Sequence, residues 1–217
     1  MPRPRGYKQR SQIVLDRLIE LYPEVKCALD HKNPYELLVA TILSAQCTDV
    51  RVNMVTPALF KKYPTPFDLA AANIGEVEKL IQSTGFFRNK AKNLVGMAQA
   101  VVSNFGGQIP TAREDLVTLP GTGRKTANVI RAEAFDLPGL PVDTHVTRLS
   151  NRLKLTNQSD AVKIEFELME LIPEDQWGGF SLRLIEHGRR VCDAKKPKCG
   201  ECILNDICPS AKDLISK

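Results

Sequence analysis

Four of the six cysteines in this chain, Cys192, Cys199, Cys202 and Cys208, fall within its last 26 residues as a C-x6-C-x2-C-x5-C array. Four thiols so close in sequence can converge on one centre, and that centre then dictates how the C-terminal part closes. Disulfides are the alternative, and they require an oxidising compartment. Residues 1–10 lack the apolar core of a secretory signal, and no run approaches the ~18 apolar residues of a membrane span. The chain therefore reads as soluble and intracellular, with reduced thiols and a metal held by the array. Four thiolates alone leave that metal open between zinc and an iron–sulfur cluster. Cys27 and Cys47 lie far away in apolar segments and read as small buried hydrophobes.

The chain has 217 residues, 43% of them hydrophobic, enough to bury one large core or two small ones. A formal charge of +5 is compatible with a polyanionic partner. Aromatic residues make up only 6%, which argues against the broad stacking platforms of single-strand binders.

The hydrophobic pattern is helical nearly throughout. Asn33-Pro34-Tyr35-Glu36 combines an N-cap residue, a proline at the first helical position and an acid at the third. Residues 37–43 are apolar all round, the mark of a buried central helix. Thr65-Pro66 predicts another helix start, and Thr111-Ala112-Arg113-Glu114 reads as a capping box. Over residues 89–103, Ala91, Leu94, Val95, Ala98, Val101 and Val102 recur at helical spacing, and Gly106-Gly107 closes the segment. Residues 10–22 repeat the pattern with Ile13, Val14, Arg17, Leu18, Leu21 and Tyr22. Pro57 should break or kink its helix. Strict alternation over five or more residues, the sign of a strand, is absent.

The segment Leu119-Pro120-Gly121-Thr122-Gly123-Arg124-Lys125-Thr126-Ala127 lies before an apolar helix over 126–135. Two glycines after a proline allow a tight reversal with positive φ at either glycine. Amides in such a turn, running on into a helix N-terminus, can cradle a phosphate oxygen. A plain helix–turn–helix corner is the other reading. Arg124 and Lys125, placed where a bound phosphate would lie, favour DNA.

The hairpin, the segment Val142-Asp143-Thr144-His145 and the cysteine spacing together resemble the endonuclease III family of helix-hairpin-helix DNA glycosylases with abasic-site lyase activity. The likeness runs from Pro34 to Cys208 and takes in Leu43-Ser44-Ala45-Gln46 and Asp49. It implies an all-α, two-lobed helix-hairpin-helix glycosylase fold with a DNA cleft. A six-helix domain would span 27–137, with the hairpin at about 113–134, and residues 1–26 and 138–217 would form an iron–sulfur cluster domain. The implied function is a bifunctional DNA glycosylase/AP lyase. It removes oxidised pyrimidines from duplex DNA and cleaves 3′ to the abasic site by β-elimination. The implied partner is damaged double-stranded DNA, with no membrane, and the protein would act as a monomer. The implied cofactor is one 4Fe–4S cluster on Cys192, Cys199, Cys202 and Cys208, with no nucleotide cofactor.

The resemblance also assigns individual roles. Lys125 is the nucleophile that attacks C1′ and forms the imine. A free lysine has a pKa near ~10.4; a helix N-terminus, Arg124 and partial burial would each favour the neutral amine. Asp143 would stabilise the cationic sugar or activate Lys125, and on its own it also reads as an N-cap for the run Val146, Leu149, Leu153. His145 reads as a structural hydrogen-bonding residue. Gln46 would enter the base stack opposite the orphaned base, and Phe86 would be an apolar wedge where relatives often carry an aliphatic residue. Gly121, Gly123 and Arg124 would contact DNA at the hairpin, and Lys195, Lys196 and Lys198 would do so from the loop between Cys192 and Cys199, which Pro197 stiffens. Gln46 as an ordinary helix end and Phe86 as core are the plainer readings. Two other functions stay open at this point: a monofunctional adenine or mismatch glycosylase that uses water, and a non-enzymatic DNA-binding module with structural zinc.

Overall fold

The computed structural model describes residues 4–211 and 213; the first three residues of the N-terminal segment, residue 212 and residues 214–217 lie outside the described residues. Among the described residues all regular structure is helical, as the missing alternation predicts. The chain divides into two compact units, Cys27–Leu137 and a second made of Met1–Lys26 with Pro138–Lys217.

The first unit is organised around α2 (Pro34–Leu43), whose Tyr35 and residues 37–43 are all buried. Asn33 caps it by accepting the Glu36 N–H at 2.9 Å, and the Glu36 carboxylate answers by accepting the Lys32 N–H at 2.8 Å. Around it come α3 (Asp49–Lys62), α4 (Pro66–Ala70), α5 (Ile74–Ile81), α6 (Phe87–Phe105), α7 (Arg113–Leu116) and α8 (Arg124–Ala134). These are seven segments against the six expected, two of them, α4 and α7, single turns. Helix α2 packs against α3, α6 and α8, and α4 and α5 pack on α6. The α6 C-terminus follows its sequence: Gly106 adopts φ 60, and the Gly107 N–H reaches the Val101 carbonyl at 3.1 Å.

The second unit contains α1 (Tyr7–Leu21), α9 (Thr144–Arg152), α10 (Ala161–Met169) and α11 (Trp177–Arg190). Its core gathers Val14, Leu15 and Leu18 with Leu149, Ile164, Leu168, Phe180 and Leu184. Leu21, expected on the buried stripe of α1, is 41% exposed, and Leu15 is buried instead.

Three local expectations need correction. Pro57 does not end α3, which runs on to Lys62; the ring removes one donor, while the buried Val52, Val55 and Leu59 hold the helix in place. Thr111 is not a cap, since α7 begins after Ala112 with no side-chain cap, and the Thr111 carbonyl instead accepts from Arg131 at 2.6 Å. Cys27 and Cys47 are half-buried against the first core and not fully enclosed.

Candidate functional site

In the first unit, the turn between α7 and α8 is fixed by packing at its Leu119 end and left open at its glycine end. Leu119 is buried, and the Thr122 N–H closes the turn onto the Leu119 carbonyl at 3.0 Å. Gly121 has φ +78, and a Cβ there would lie 3.0 Å from the Asn93 Cβ and 3.3 Å from the Ile42 side chain, so glycine is required twice over. Gly123 differs from the expectation of a possible positive φ: it is extended, with φ −89, and a Cβ built on it meets nothing. It is also the N-cap of α8 and supplies no side-chain cap. The first amides of α8 therefore face outward at the positive end of a helix dipole, an arrangement suited to an anion. Arg124 and Lys125 are the first two residues of that helix. Arg124 is half-buried and Lys125 is exposed, so the partial burial anticipated for Lys125 is not provided by the protein itself.

The two residues expected to enter the base stack share an unusual backbone. Gln46 has φ 53 and Phe86 φ 47, left-handed values that cost a non-glycine residue roughly 1–2 kcal/mol. Both are exposed; Phe86 is 65% exposed, which excludes the core reading. Gln46 stands in the turn between α2 and Thr48, the N-cap of α3, and Phe86 occupies the N-cap position of α6. Between these turns sits Lys90, buried to 4% exposure, whose Nζ donates to the Leu43 and Thr84 carbonyls at 2.8 Å each.

In the second unit, Asp143 caps α9, its Oδ1 accepting the Val146 N–H at 2.8 Å. Asp143 is half-buried. Nδ1 of His145 accepts from Arg148 at 3.1 Å, and burial pushes its pKa below the ordinary histidine value despite the nearby Asp143.

Cys192, Cys199, Cys202 and Cys208 line one cavity, walled by Leu149, His187, Val191 and Leu204. Four thiols lining one cavity are a donor set that an iron–sulfur cluster takes. Burial raises the thiol pKa of Cys202 to about 11, and that of Cys199 and Cys208 in the same direction. Removing their protons therefore calls for a cationic group in the cavity. Arg152 binds the surrounding chain: it donates to Cys192 Sγ at 3.2 Å, to the Asp193 carbonyl at 2.7 Å and to the Ala194 carbonyl at 2.8 Å. Beyond it, Asp193 Oδ1 accepts the Lys195 and Lys196 amides, and Lys198 closes the loop onto the Val191 carbonyl at 2.9 Å. Lys195, Lys196 and Lys198 are all exposed.

The family model for HhH-GPD superfamily base excision DNA repair proteins matches residues 39–174, and that for the iron-sulfur binding domain of endonuclease III matches residues 192–208. Endonuclease III of Synechocystis is 56% identical over 206 residues, covering 94% of each chain, and that of Bacillus subtilis is 44% identical over 201 residues, covering 92% of each. The chain belongs to the endonuclease III family. The solved non-covalent endonuclease III–DNA complex agrees, with a TM-score of 0.93 at 42% identity, covering 97% of this chain and 99% of that one. As an endonuclease III family member, the protein is an all-α DNA glycosylase with abasic-site lyase activity in base excision repair, and its cofactor is a 4Fe–4S cluster.

Four residues that line or brace these features escaped the sequence reading. Lys90 falls in register with Leu94, Met97 and Val101 on the buried face of α6, and a lysine in that stripe was the available signal. His187 sits likewise on the α11 stripe with Phe180 and Leu184. Arg148 and Arg152 lie one turn apart on α9. Most acceptors of Arg148 and Arg152 are backbone carbonyls distant in sequence, which leave no trace in a motif.

Proposed function

We propose that this endonuclease III family enzyme acts on oxidised pyrimidines in duplex DNA through Lys125. The amine at the start of α8 attacks C1′ of the damaged nucleotide, and the C1′–N bond breaks with its electron pair leaving on the base, which takes up a proton. The sugar ring opens as the imine forms. Loss of a C2′ proton then expels the 3′ phosphate by β-elimination, and hydrolysis of the imine frees Lys125. The products are free base, a 3′ unsaturated aldehyde and a 5′ phosphate. A hydroxyl at this position could not form the imine, so lysine is the residue that carries strand cleavage.

The observation that carries this reading is the placement of Lys125. It is exposed, in the first turn of an uncapped helix, directly after a turn whose Gly123 leaves open space for a phosphate. In this reading Gly121, Gly123 and Arg124 contribute to phosphate binding at the hairpin, and Lys195, Lys196 and Lys198 bind backbone phosphate from the cysteine loop. Asp143 stabilises the positive charge that develops on the sugar as the base departs. Gln46 and Phe86 fill the space left by the everted nucleotide. Cys192, Cys199, Cys202 and Cys208 hold the cluster, which shapes the loop and takes no part in the lysine chemistry.

Duplex oligonucleotides carrying thymine glycol, dihydrouracil, uracil or an abasic site test the proposal. The oxidised pyrimidines and the abasic site should be nicked and uracil spared. Free-base release without nicking would instead support a monofunctional glycosylase.

A further inference from the structure

Lys90 stands out because no carboxylate among the described residues accompanies its burial, the Cys47 thiol being the ionisable group that acts on it. Its ammonium is almost wholly enclosed, yet both its hydrogen-bond partners are neutral carbonyls, with no carboxylate among the described residues. Taking a cation out of water is unfavourable unless its protons are satisfied. The two carbonyls belong to chain ends that a cation suits: Leu43 is the last residue of α2, and Thr84 is the last residue of a 3-10 turn, Gln82–Thr84. Each is followed within three residues by an exposed left-handed residue, Gln46 after Leu43 and Phe86 after Thr84. Lys90 itself lies in the first turn of α6, the helix that Phe86 opens, and its N–H donates to the Phe86 carbonyl at 3.1 Å. A left-handed conformation at a non-glycine residue persists only where the neighbouring structure holds it. One side chain here ties together the two segments that carry such residues.

We infer that Lys90 is a positioning residue, whose buried ammonium joins the α2 end to the turn before α6 and presets Gln46 and Phe86 for entry into the base stack. This rests on the reading of Gln46 and Phe86 given above. Preset in this way, the two side chains need not be ordered as the nucleotide everts, and the step that duplex DNA imposes is eased. A single-stranded abasic site, with no base to evert and no stack to fill, makes no such demand.

The test compares nicking of an abasic site in duplex and in single-stranded DNA by cluster-loaded wild type, Lys90→Met, Lys90→Arg and the double variant Gln46→Ala/Phe86→Ala. Lys90→Met should lose about tenfold to a hundredfold in kcat/KM on duplex, the scale set by small misplacements of reacting groups, and change less than twofold on the single strand. Lys90→Arg, which keeps the charge, should restore part of the duplex activity. Added to Gln46→Ala/Phe86→Ala, Lys90→Met should cost less than a further twofold, because its effect passes through those residues. Equal losses on both substrates, or a full additional loss in the combined variant, would overturn the inference. If Lys90→Met fails to accumulate as folded protein, the Lys90→Arg ratio of duplex to single-strand activity decides, a wild-type ratio counting against. Should Gln46→Ala/Phe86→Ala nick duplex DNA as well as wild type, the intercalation reading itself fails and this inference with it.

Discussion

Nε2 of His187 lies 3.3 Å from Sγ of Cys202, and Nδ1 of the same ring lies 3.2 Å from the Tyr22 hydroxyl. Burial lowers the His187 pKa to about 4, so the ring is neutral and has a single N–H. A Cys202 sulfur that ligates the cluster has no proton and can only accept, which puts that N–H on Nε2 and leaves Nδ1 to accept from the Tyr22 hydroxyl. A hydrogen bond to a cluster-ligating thiolate raises a cluster's reduction potential, since it stabilises the more negative reduced form.

Replacing His187 with phenylalanine should therefore shift the cluster couple to a more negative potential in protein-film voltammetry. Tyr22→Phe should move it the same way by less, because it only frees the tautomer. An unshifted couple in His187→Phe with a full complement of iron would contradict the assignment.

Asp143 combines a cap with a charge, and two substitutions separate them. Asp143→Asn keeps an acceptor for the Val146 N–H, and asparagine caps as well as aspartate. It should melt within about 1 °C of wild type, while base release falls on the order of 10²-fold or more. Asp143→Ala should lose the same activity and in addition about 1 kcal/mol of stability, a fall in Tm of roughly 2–4 °C. Single-turnover base release and thermal melting read the two effects, and an active Asn variant would reduce Asp143 to a cap.

The two hairpin glycines should behave oppositely. Gly121→Ala places a Cβ at φ +78, 3.0 Å from the Asn93 Cβ, and should destabilise the protein by about 1–3 kcal/mol. Gly123→Ala meets open space at an extended φ and should leave Tm unchanged or slightly raised. Its methyl would obstruct a phosphate, so affinity for duplex containing an abasic analogue should fall about tenfold or more by fluorescence anisotropy. Wild-type affinity in Gly123→Ala would show that no phosphate approaches there.

What the sequence made legible was local. Asn33-Pro34, Thr65-Pro66 and Gly106-Gly107 act within six residues of themselves, and α2, α4 and the end of α6 follow them. The all-α fold, the repair function and the cluster were likewise within reach, because the hairpin and the cysteine array are contiguous patterns. Pro57 and Thr111 misled because tertiary packing outweighed a local signal: the buried face of α3 carries the helix past the proline, and Arg131 claims the Thr111 carbonyl. The exposure of Lys125 was hidden for a related reason, since a side chain that meets its surroundings only in a complex has none in the free protein. Lys90, Arg152 and His187 depend on hydrogen-bond partners up to 47, 42 and 165 residues away respectively, and no spacing rule reaches so far.

Borohydride trapping on duplex DNA tests the lysine chemistry most directly. With wild-type protein carrying its cluster, reduction should yield a covalent protein–DNA adduct whose modified peptide contains Lys125, and Lys125→Gln should give neither adduct nor nick while still binding abasic DNA. An adduct and a nick of wild-type yield from Lys125→Gln would contradict the account and place the nucleophile elsewhere.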